Sequence, residues 1–345
     1  TERDWSSDVC SSDLASRGEG GLEKHVVELA SGLLRRGLEV CLIAHPMYGS
    51  RLPASVEFLP VDLSAHRRNP LALYRLFQRL RQARPQIIHA HGSKAASMIS
   101  PLLPFLPNIR SVATLHSRKK NVRMFSRFER VIAVSRIAAA NLKHPGIRII
   151  HNGIAPDTGV AAPAFDAWQT VGARPRVLAI GRLVPVKGFD LLIHAWKNVD
   201  AQLAIAGEGF ERTHLERLIK ETGQQDKIVL LGQRNDVHAL LSAAHLLVIS
   251  SHYEGGPYTL VEALQHRVPV VSSAVGAAVE ILPEHFICAT GDPAALAERV
   301  TSALKDMEQT RRAHEPAFRY ALTELTFEHL LDSTISVYEE LLNRQ

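Results

Sequence analysis

Short apolar runs alternate with stretches whose apolar residues recur every three to four positions, and the alternation persists along most of the chain. The runs read as buried parallel strands: residues 38–44, 56–61, 86–91, 110–116, 130–135 and 148–154 in the first half, then 176–180, 202–206, 227–231, 245–249 and 268–272 in the second. Ile287 adds an edge strand. The periodic stretches read as helices. Leu22 to Arg36 places Val26, Val27, Leu29, Ala30, Leu33 and Leu34 on one side, and Gly37 stands where a helix-ending glycine would. Further helical patterns cover 70–83, 93–99, 136–142 (with Ser135 as its cap), 190–196, 210–222, 236–243, 258–264, 292–306 and 327–344. Residues 156–173 are Pro/Ala/Gly-rich and aperiodic, the signature of a linker. Two strand–helix series joined by a linker predict the α/β class with two parallel-sheet domains, 15–155 and 174–325, followed by a C-terminal helix over 326–345. No short-period internal repeat is present.

The opening residues break the pattern. Asp4 to Leu14 is Ser/Asp-rich and lacks a strand rhythm, and it reads as one translation frame of a sequencing-adapter oligonucleotide. We therefore expect residues 1–14 to be non-native, with the first strand of the first domain absent or mimicked, and Cys10 to carry no functional weight. Three widely spaced cysteines argue against a disulfide framework or a cysteine metal site, so a reducing cytoplasm is the expected location. No apolar run reaches the ~18–20 residues of a membrane span.

Charge divides the chain more sharply than its total of +5 suggests. Residues 1–155 hold 23 Lys+Arg and 11 Asp+Glu, a net of +12; residues 156–345 hold 17 and 24, a net of −7. Basic clusters fall at Arg67-Arg68, at Arg75, Arg79 and Arg81, and at Arg118-Lys119-Lys120 with Arg123 and Arg127. Such a surface suits anionic lipid head groups or an anionic acceptor. Nucleic acid is not expected, because no recognition motif or aromatic platform accompanies the charge.

The candidate chemistry sits where strands run into loops, the place where open α/β sheets collect ligands. After the strand at 245–249 come Glu254, Gly255, Gly256 and Pro257, then a helix beginning Tyr258-Thr259-Leu260 and carrying Glu262. A Gly-rich turn into a helix N-terminus offers free amides and a favourable dipole to an anion. After the strand at 176–180 comes Gly181-Arg182-Leu183-Val184-Pro185-Val186-Lys187-Gly188, which places a guanidinium fork and a mobile ammonium on one loop, as a diphosphate requires. Ala206-Gly207-Glu208-Gly209 follows the next strand. In the first half, Gly20-Gly21 precede a helix, and His89-Ala90-His91-Gly92 and Thr114-Leu115-His116 end strands. Glycines before a helix let backbone approach a phosphate. A lone histidine is more often structural, but His91 stands at a strand end.

The pairing of G-R-L-x-x-x-K-G with E-x7-E, in this order, resembles the retaining GT-B glycosyltransferases of family four, group 1, of the bacterial cell-surface polysaccharide type, from about Gly18 to the C-terminus. The resemblance implies two Rossmann-like domains facing across a cleft, with the C-terminal helix returning to the first. It implies an acceptor-side first domain and a nucleotide-sugar-binding second domain with a donor such as a UDP-hexose or UDP-N-acetylhexosamine. The acceptor would be a glycan or a lipid-linked molecule in polysaccharide or lipopolysaccharide synthesis. No cofactor is implied, and no DxD stands at a matching strand end, so a metal-independent reaction at the inner face of the cytoplasmic membrane is expected. By resemblance the catalytic group comprises His91, Glu254, Arg182 and Lys187. The donor site comprises Gly20, Gly21, Gly181, Arg182, Lys187, Gly207, Gly209, Gly256, Tyr258, Thr259, Leu260 and Glu262, with Glu262 on the ribose. The base is expected near 232–236, and Asn152-Gly153 at the interdomain hinge. Two alternatives share these features: a nucleotide-sugar 2-epimerase of the same fold, and a non-catalytic nucleotide-sugar-binding module.

Overall fold

The computed structural model describes residues 9–12, 21–53, 55–63, 66–155 and 174–343. The chain forms two compact units, Thr1–Ile150 with Leu330–Gln345, and His151–His329.

In the first unit the elements run β1 (Val9–Ser12), α1 (Gly21–Arg35), β2 (Val40–Ala44), β3 (Glu57–Pro60), α2 (Pro70–Ala83) and β4 (Ile87–His91). They continue with α3 (Gly92–Ile99), β5 (Arg110–Leu115), β6 (Arg130–Ala133), α4 (Arg136–Ala139) and β7 (Ile147–Ile149). The seven strands are parallel in the order β3-β2-β1-β4-β5-β6-β7. The order reverses at β1 and β4, so β4 ends at the switch point with His91 as its last residue. One face packs Ile43, Ile88, Ala90, Ala113 and Val131 against Leu76, Leu80, Met98 and Phe125.

Of the two outcomes expected for the first strand, absent or mimicked, it is not absent. Val9–Ser12 is an interior strand, with Val9 in register with Val40 on one side and Ile87 on the other. Parallel pairing is a main-chain interaction, so four residues between two strongly apolar neighbours suffice to occupy the slot. The rest of 1–14 lies outside the described residues.

In the second unit, β8 (Arg176–Ile180), α5 (Phe189–Ala195), β9 (Gln202–Ala206), α6 (Arg212–Glu221), β10 (Ile228–Gly232), α7 (Val237–Ala243) and β11 (Leu246–Ile249) form the first part. Next come α8 (Tyr258–Gln265), β12 (Val270–Ser273), α9 (Ala278–Ile281), β13 (Ile287–Cys288), α10 (Pro293–Lys305), α11 (Met307–Thr323) and α12 (Phe327–Leu342). The parallel order is β10-β9-β8-β11-β12-β13, with the reversal at β8 and β11. Alternate side chains explain why these strands read as unbroken apolar runs. Val177, Ala179, Leu203, Ile205, Leu246 and Val248 fill one face, and Leu178, Ala204, Ala206, Leu247 and Ile249 the other. Both faces are covered by helices, so neither set of positions is polar.

Helix α11 is absent from the sequence reading, which ends a helix at 306 and resumes at 327. Its buried positions are Thr310, His314, Ala317, Phe318 and Ala321, a helical period in which two members are polar. Pro316 inside it also reads as a breaker. The histidine is satisfied rather than apolar. His314 Nδ1 lies 2.9 Å from the Thr310 carbonyl, and His314 Nε2 accepts from the Val270 amide at 3.0 Å, which ties α11 to β12. The last helix, α12, leaves the second unit at His329 and belongs to the first from Leu330 onward. There Arg148 Nη2 donates to Glu340 at 2.7 Å and Arg36 pairs with Asp332 at 2.7 Å.

Candidate functional site

Three loops of the second unit converge on its switch point. The loop after β8 lies on the loop after β9 backbone to backbone. Leu183 N donates to Glu208 O at 2.8 Å and Glu211 N to Leu183 O at 3.1 Å. Gly207, at φ +149°, would put a Cβ 1.9 Å from the Gly181 carbonyl oxygen, and Gly209 would put one 2.2 Å from that of Leu183. The glycines of Ala206-Gly207-Glu208-Gly209 thus have a steric role: they let two loops lie against each other.

The same loop after β8 is joined to the end of β11. Gly188 is left-handed (φ +62°), and a Cβ there would meet the Ser250 carbonyl oxygen at 2.4 Å. Ser250 Oγ donates to the Lys187 carbonyl at 2.9 Å, and His252 N to that of Val186 at 2.9 Å. This seam brings Lys187 to Glu254, 67 residues apart in sequence, in a hydrogen-bonded ion pair. Ser251 Oγ donates to the same carboxylate oxygen at 3.1 Å. Both charged side chains are mostly buried, 21% and 17% exposed. Arg182, on the same loop, is exposed and has no ion-pair partner among the described residues. Lys187 is therefore a cation held in place, and Arg182 one that faces solvent.

Helix α8 starts beside this pair in sequence. Pro257 is its extended N-cap residue, with no side-chain cap, and Tyr258, Thr259 and Leu260 form its first turn. The turn leading into it is fixed from outside. Asn152 Nδ2 donates to the Gly256 carbonyl at 2.6 Å, and Ala277 N to that of Gly255 at 3.0 Å. Glu262 is half-buried one turn into the helix. Gly181 lies close to the lysine stem: a Cβ there would sit 3.2 Å from Lys187 Cε. Arg182, Lys187, Glu254, Gly256, Tyr258, Thr259, Leu260 and Glu262 thus all belong to the segments that follow β8 and β11, the adjacent strands where the order reverses.

In the first unit, Gly20 lies outside the described residues, and Gly21 is the exposed first residue of α1. His91 is fully buried, and neither ring nitrogen has a hydrogen-bond partner. It stacks on His89 at 4.0 Å between ring centroids, with His25 at 5.4 Å and His116 at 5.8 Å. His89 is held at both nitrogens, 2.6 Å from the Tyr338 hydroxyl and 2.6 Å from Thr114 Oγ1. Burial pushes His25 down to about 4, and burial with the neighbouring His25 pushes His89 down to about 3. Burial first, then the other histidines, holds His91 and His116 well below the ordinary imidazole range. All four rings are neutral at pH 7. The sequence reading singled out His91 and His116 but missed His25 as their neighbour. Its signal was a histidine on the apolar side of α1, beside Val26 and Leu29.

The second unit is doubly wound, and its cations, its Gly-rich turn and the start of α8 stand at the strand ends beside the switch point, where such folds collect ligands. The family model for glycosyl transferases group 1 matches residues 164–319, and that for glycosyltransferase family 4 matches residues 19–158. Together the two models take in most of both units, and the chain belongs to this glycosyltransferase family. It is 27% identical to the lipopolysaccharide core biosynthesis glycosyltransferase LpsE of Rhizobium meliloti, over 74% of this chain and 76% of that one. It is 26% identical to the amylovoran biosynthesis glycosyltransferase AmsD of Erwinia amylovora, over 73% of this chain and 77% of that one. Among solved structures, Anabaena HepE in complex with UDP superimposes with a TM-score of 0.83 at 20% identity, over 97% of this chain and 100% of that chain. This is the two-domain GT-B fold.

Proposed function

We propose that this glycosyltransferase moves a hexose or N-acetylhexosamine from a UDP-linked donor to a glycan or lipid-linked acceptor in surface polysaccharide or lipopolysaccharide synthesis, with retention at the anomeric carbon and without a metal at the donor phosphates. The observation that carries the reading is Lys187 held against Glu254 at the switch point of the second unit, beside the free guanidinium of Arg182. Two similar proteins give the donor and acceptor classes their support: HepE was solved with UDP-glucose, and LpsE is named for lipopolysaccharide core synthesis.

The chemistry follows from where charge develops. The bond between the anomeric carbon and the β-phosphate oxygen breaks, its electron pair leaves on the phosphate, and the sugar becomes oxocarbenium-like. Lys187, Arg182 and the first-turn amides of α8 meet the departing negative charge. Glu254 offsets the positive sugar and orients its hydroxyls, while Ser251 and Lys187 fix the carboxylate's direction. The acceptor oxygen attacks from the face the phosphate leaves, and its proton passes to that phosphate. Glu262 binds the ribose hydroxyls.

The first unit supplies a surface for an anionic acceptor or membrane. Arg67, Arg68, Arg123 and Arg127 line one concavity, and Arg75, Arg79 and Arg81 line another beside Tyr74. Leu71 and Tyr74 of α2 are more than half exposed, at 55% and 59%. No helix among the described residues is long and apolar enough to cross a membrane.

Proton NMR of the protein with UDP-glucose or UDP-N-acetylglucosamine and a simple glycan acceptor tests the reading. An α-configured product with matching UDP release is expected. A β-configured product would remove retention, and transfer that is absent without added Mg²⁺ or Mn²⁺ would remove metal independence.

A further inference from the structure

We propose that His25, His91 and His116 form a three-nitrogen binding site in the first unit for a borderline divalent transition ion, zinc by the ligand type, with a fourth position open to water or an oxygen ligand. Among the described residues this is the one group of three or more metal-ligating side chains whose ligand atoms all lie within 4.8 Å of one another. The ligands come from three elements: the helix α1, the end of β4, and the residue following β5. Three histidines with an open position is a set zinc accepts, and imidazole also suits nickel and copper.

The cluster is built as a ligand set rather than as a packing accident. A buried histidine is ordinarily hydrogen-bonded, since an unpaired ring nitrogen away from water costs free energy. His89 obeys that rule at both nitrogens. His91, at 0% exposure, has neither nitrogen satisfied, and His116 Nε2 is likewise buried without a partner. Three polar nitrogens therefore lie buried in one small region with nothing to bond. A cation would satisfy one nitrogen of His91 and Nε2 of His116, with His25 as the third ligand. Tetrahedral zinc with Zn–N of about 2.0–2.1 Å requires nitrogens ~3.3 Å apart, so the rings close by modest rotation. His89, held at both nitrogens, stacks on the His91 ring and fixes the plane it packs against. All of these rings are uncharged at neutral pH, the form that binds metal.

The ion would tie α1 to the ends of β4 and β5. The site lies wholly in the first unit and takes no part in the metal-free donor chemistry proposed for the second.

The test uses the full chain, stripped with a chelator and titrated with Co²⁺ and then Zn²⁺ at pH 7.5. We expect one ion per chain, visible Co²⁺ ligand-field bands of tetrahedral intensity, displacement of those bands by Zn²⁺, and a Zn²⁺-dependent rise in the first unit's Tm. His116→Gln and His25→Gln should each weaken Zn²⁺ binding at least about tenfold, the loss of one ligand of three. His116 is half-buried in a loop, so its variant folds even if the His25 variant does not, and circular dichroism of both checks this. Absence of tetrahedral Co²⁺ bands would overturn the site. So would a Zn²⁺ affinity unchanged in folded His116→Gln, which would place the ion elsewhere. UDP binding by the second unit is read separately, so either result leaves the donor assignment independent.

Discussion

Lys187→Ala is expected to lower sugar transfer by ~10²–10³-fold, the range seen when one positioned stabiliser of developing negative charge is removed. The same direction is expected for Arg182→Ala. The effect should fall on kcat more than on KM, because the ammonium interacts most strongly when the leaving phosphate carries its full charge. Folding should survive. Lys187 lies on a loop beyond the strand end and packs no core, and Ser251 still donates to Glu254 when the ammonium is gone. The substitution leaves a carboxylate that is 17% exposed without its cation, so a small fall in Tm is consistent with the assignment. Steady-state kinetics with a UDP-sugar, alongside thermal melts, read both quantities. Near-normal kcat in both variants would remove these residues from the leaving-group site.

The second large effect is loss of first-unit stability in acid. His25 falls from 6.5 in the unfolded chain to about 4 in the folded one, and His89 to about 3. Their folded-state values are depressed, so below pH 6.5 the unfolded chain binds protons that the folded chain refuses. Stability is complete above about pH 6.5 and is lost as pH falls towards the folded values. His25 alone accounts for about 3 kcal/mol by pH 4, and His91 and His116 shift in the same direction. In the second unit only His245 and His314, among the described residues, are histidines shifted this way. Hydrogen exchange in chelator, corrected for intrinsic rates, should show amides of β4 and β5 losing protection between about pH 6.5 and 4.5 before those of β8 and β11. Equal protection of both sheets across that range would contradict it.

Much of this was legible because the chain is patterned at two levels. Unbroken apolar runs marked the parallel strands, and a loop with Gly, Arg and Lys after one of them and a Glu-Gly-Gly turn after another marked the site. What the pattern concealed was polar residues in buried positions. Helix α11 was missed because Thr310 and His314 occupy its inward face, each held by hydrogen bonds that a hydropathy reading cannot see. His25 was missed for the same reason. The contact between Lys187 and Glu254 depends on a seam of serine hydroxyls and on a left-handed Gly188, which spacing along the chain does not disclose. Strand β1 carried no apolar run to mark it: Val9-Cys10-Ser11-Ser12 is half serine, and its main chain pairs along both edges.

The most direct test of the donor assignment is a thermal-shift titration of the full chain with UDP, GDP, ADP and CMP, run in parallel on Glu262→Ala. A ligand that binds only the folded state adds about 2.7 kcal/mol at a hundred times its Kd. The site as assigned predicts that UDP raises the Tm and that Glu262→Ala loses most of that rise, because the ribose contact is gone while the fold remains. Failure of every nucleotide to shift the folded protein would contradict the assignment, and a full UDP shift in Glu262→Ala would remove Glu262 from the ribose.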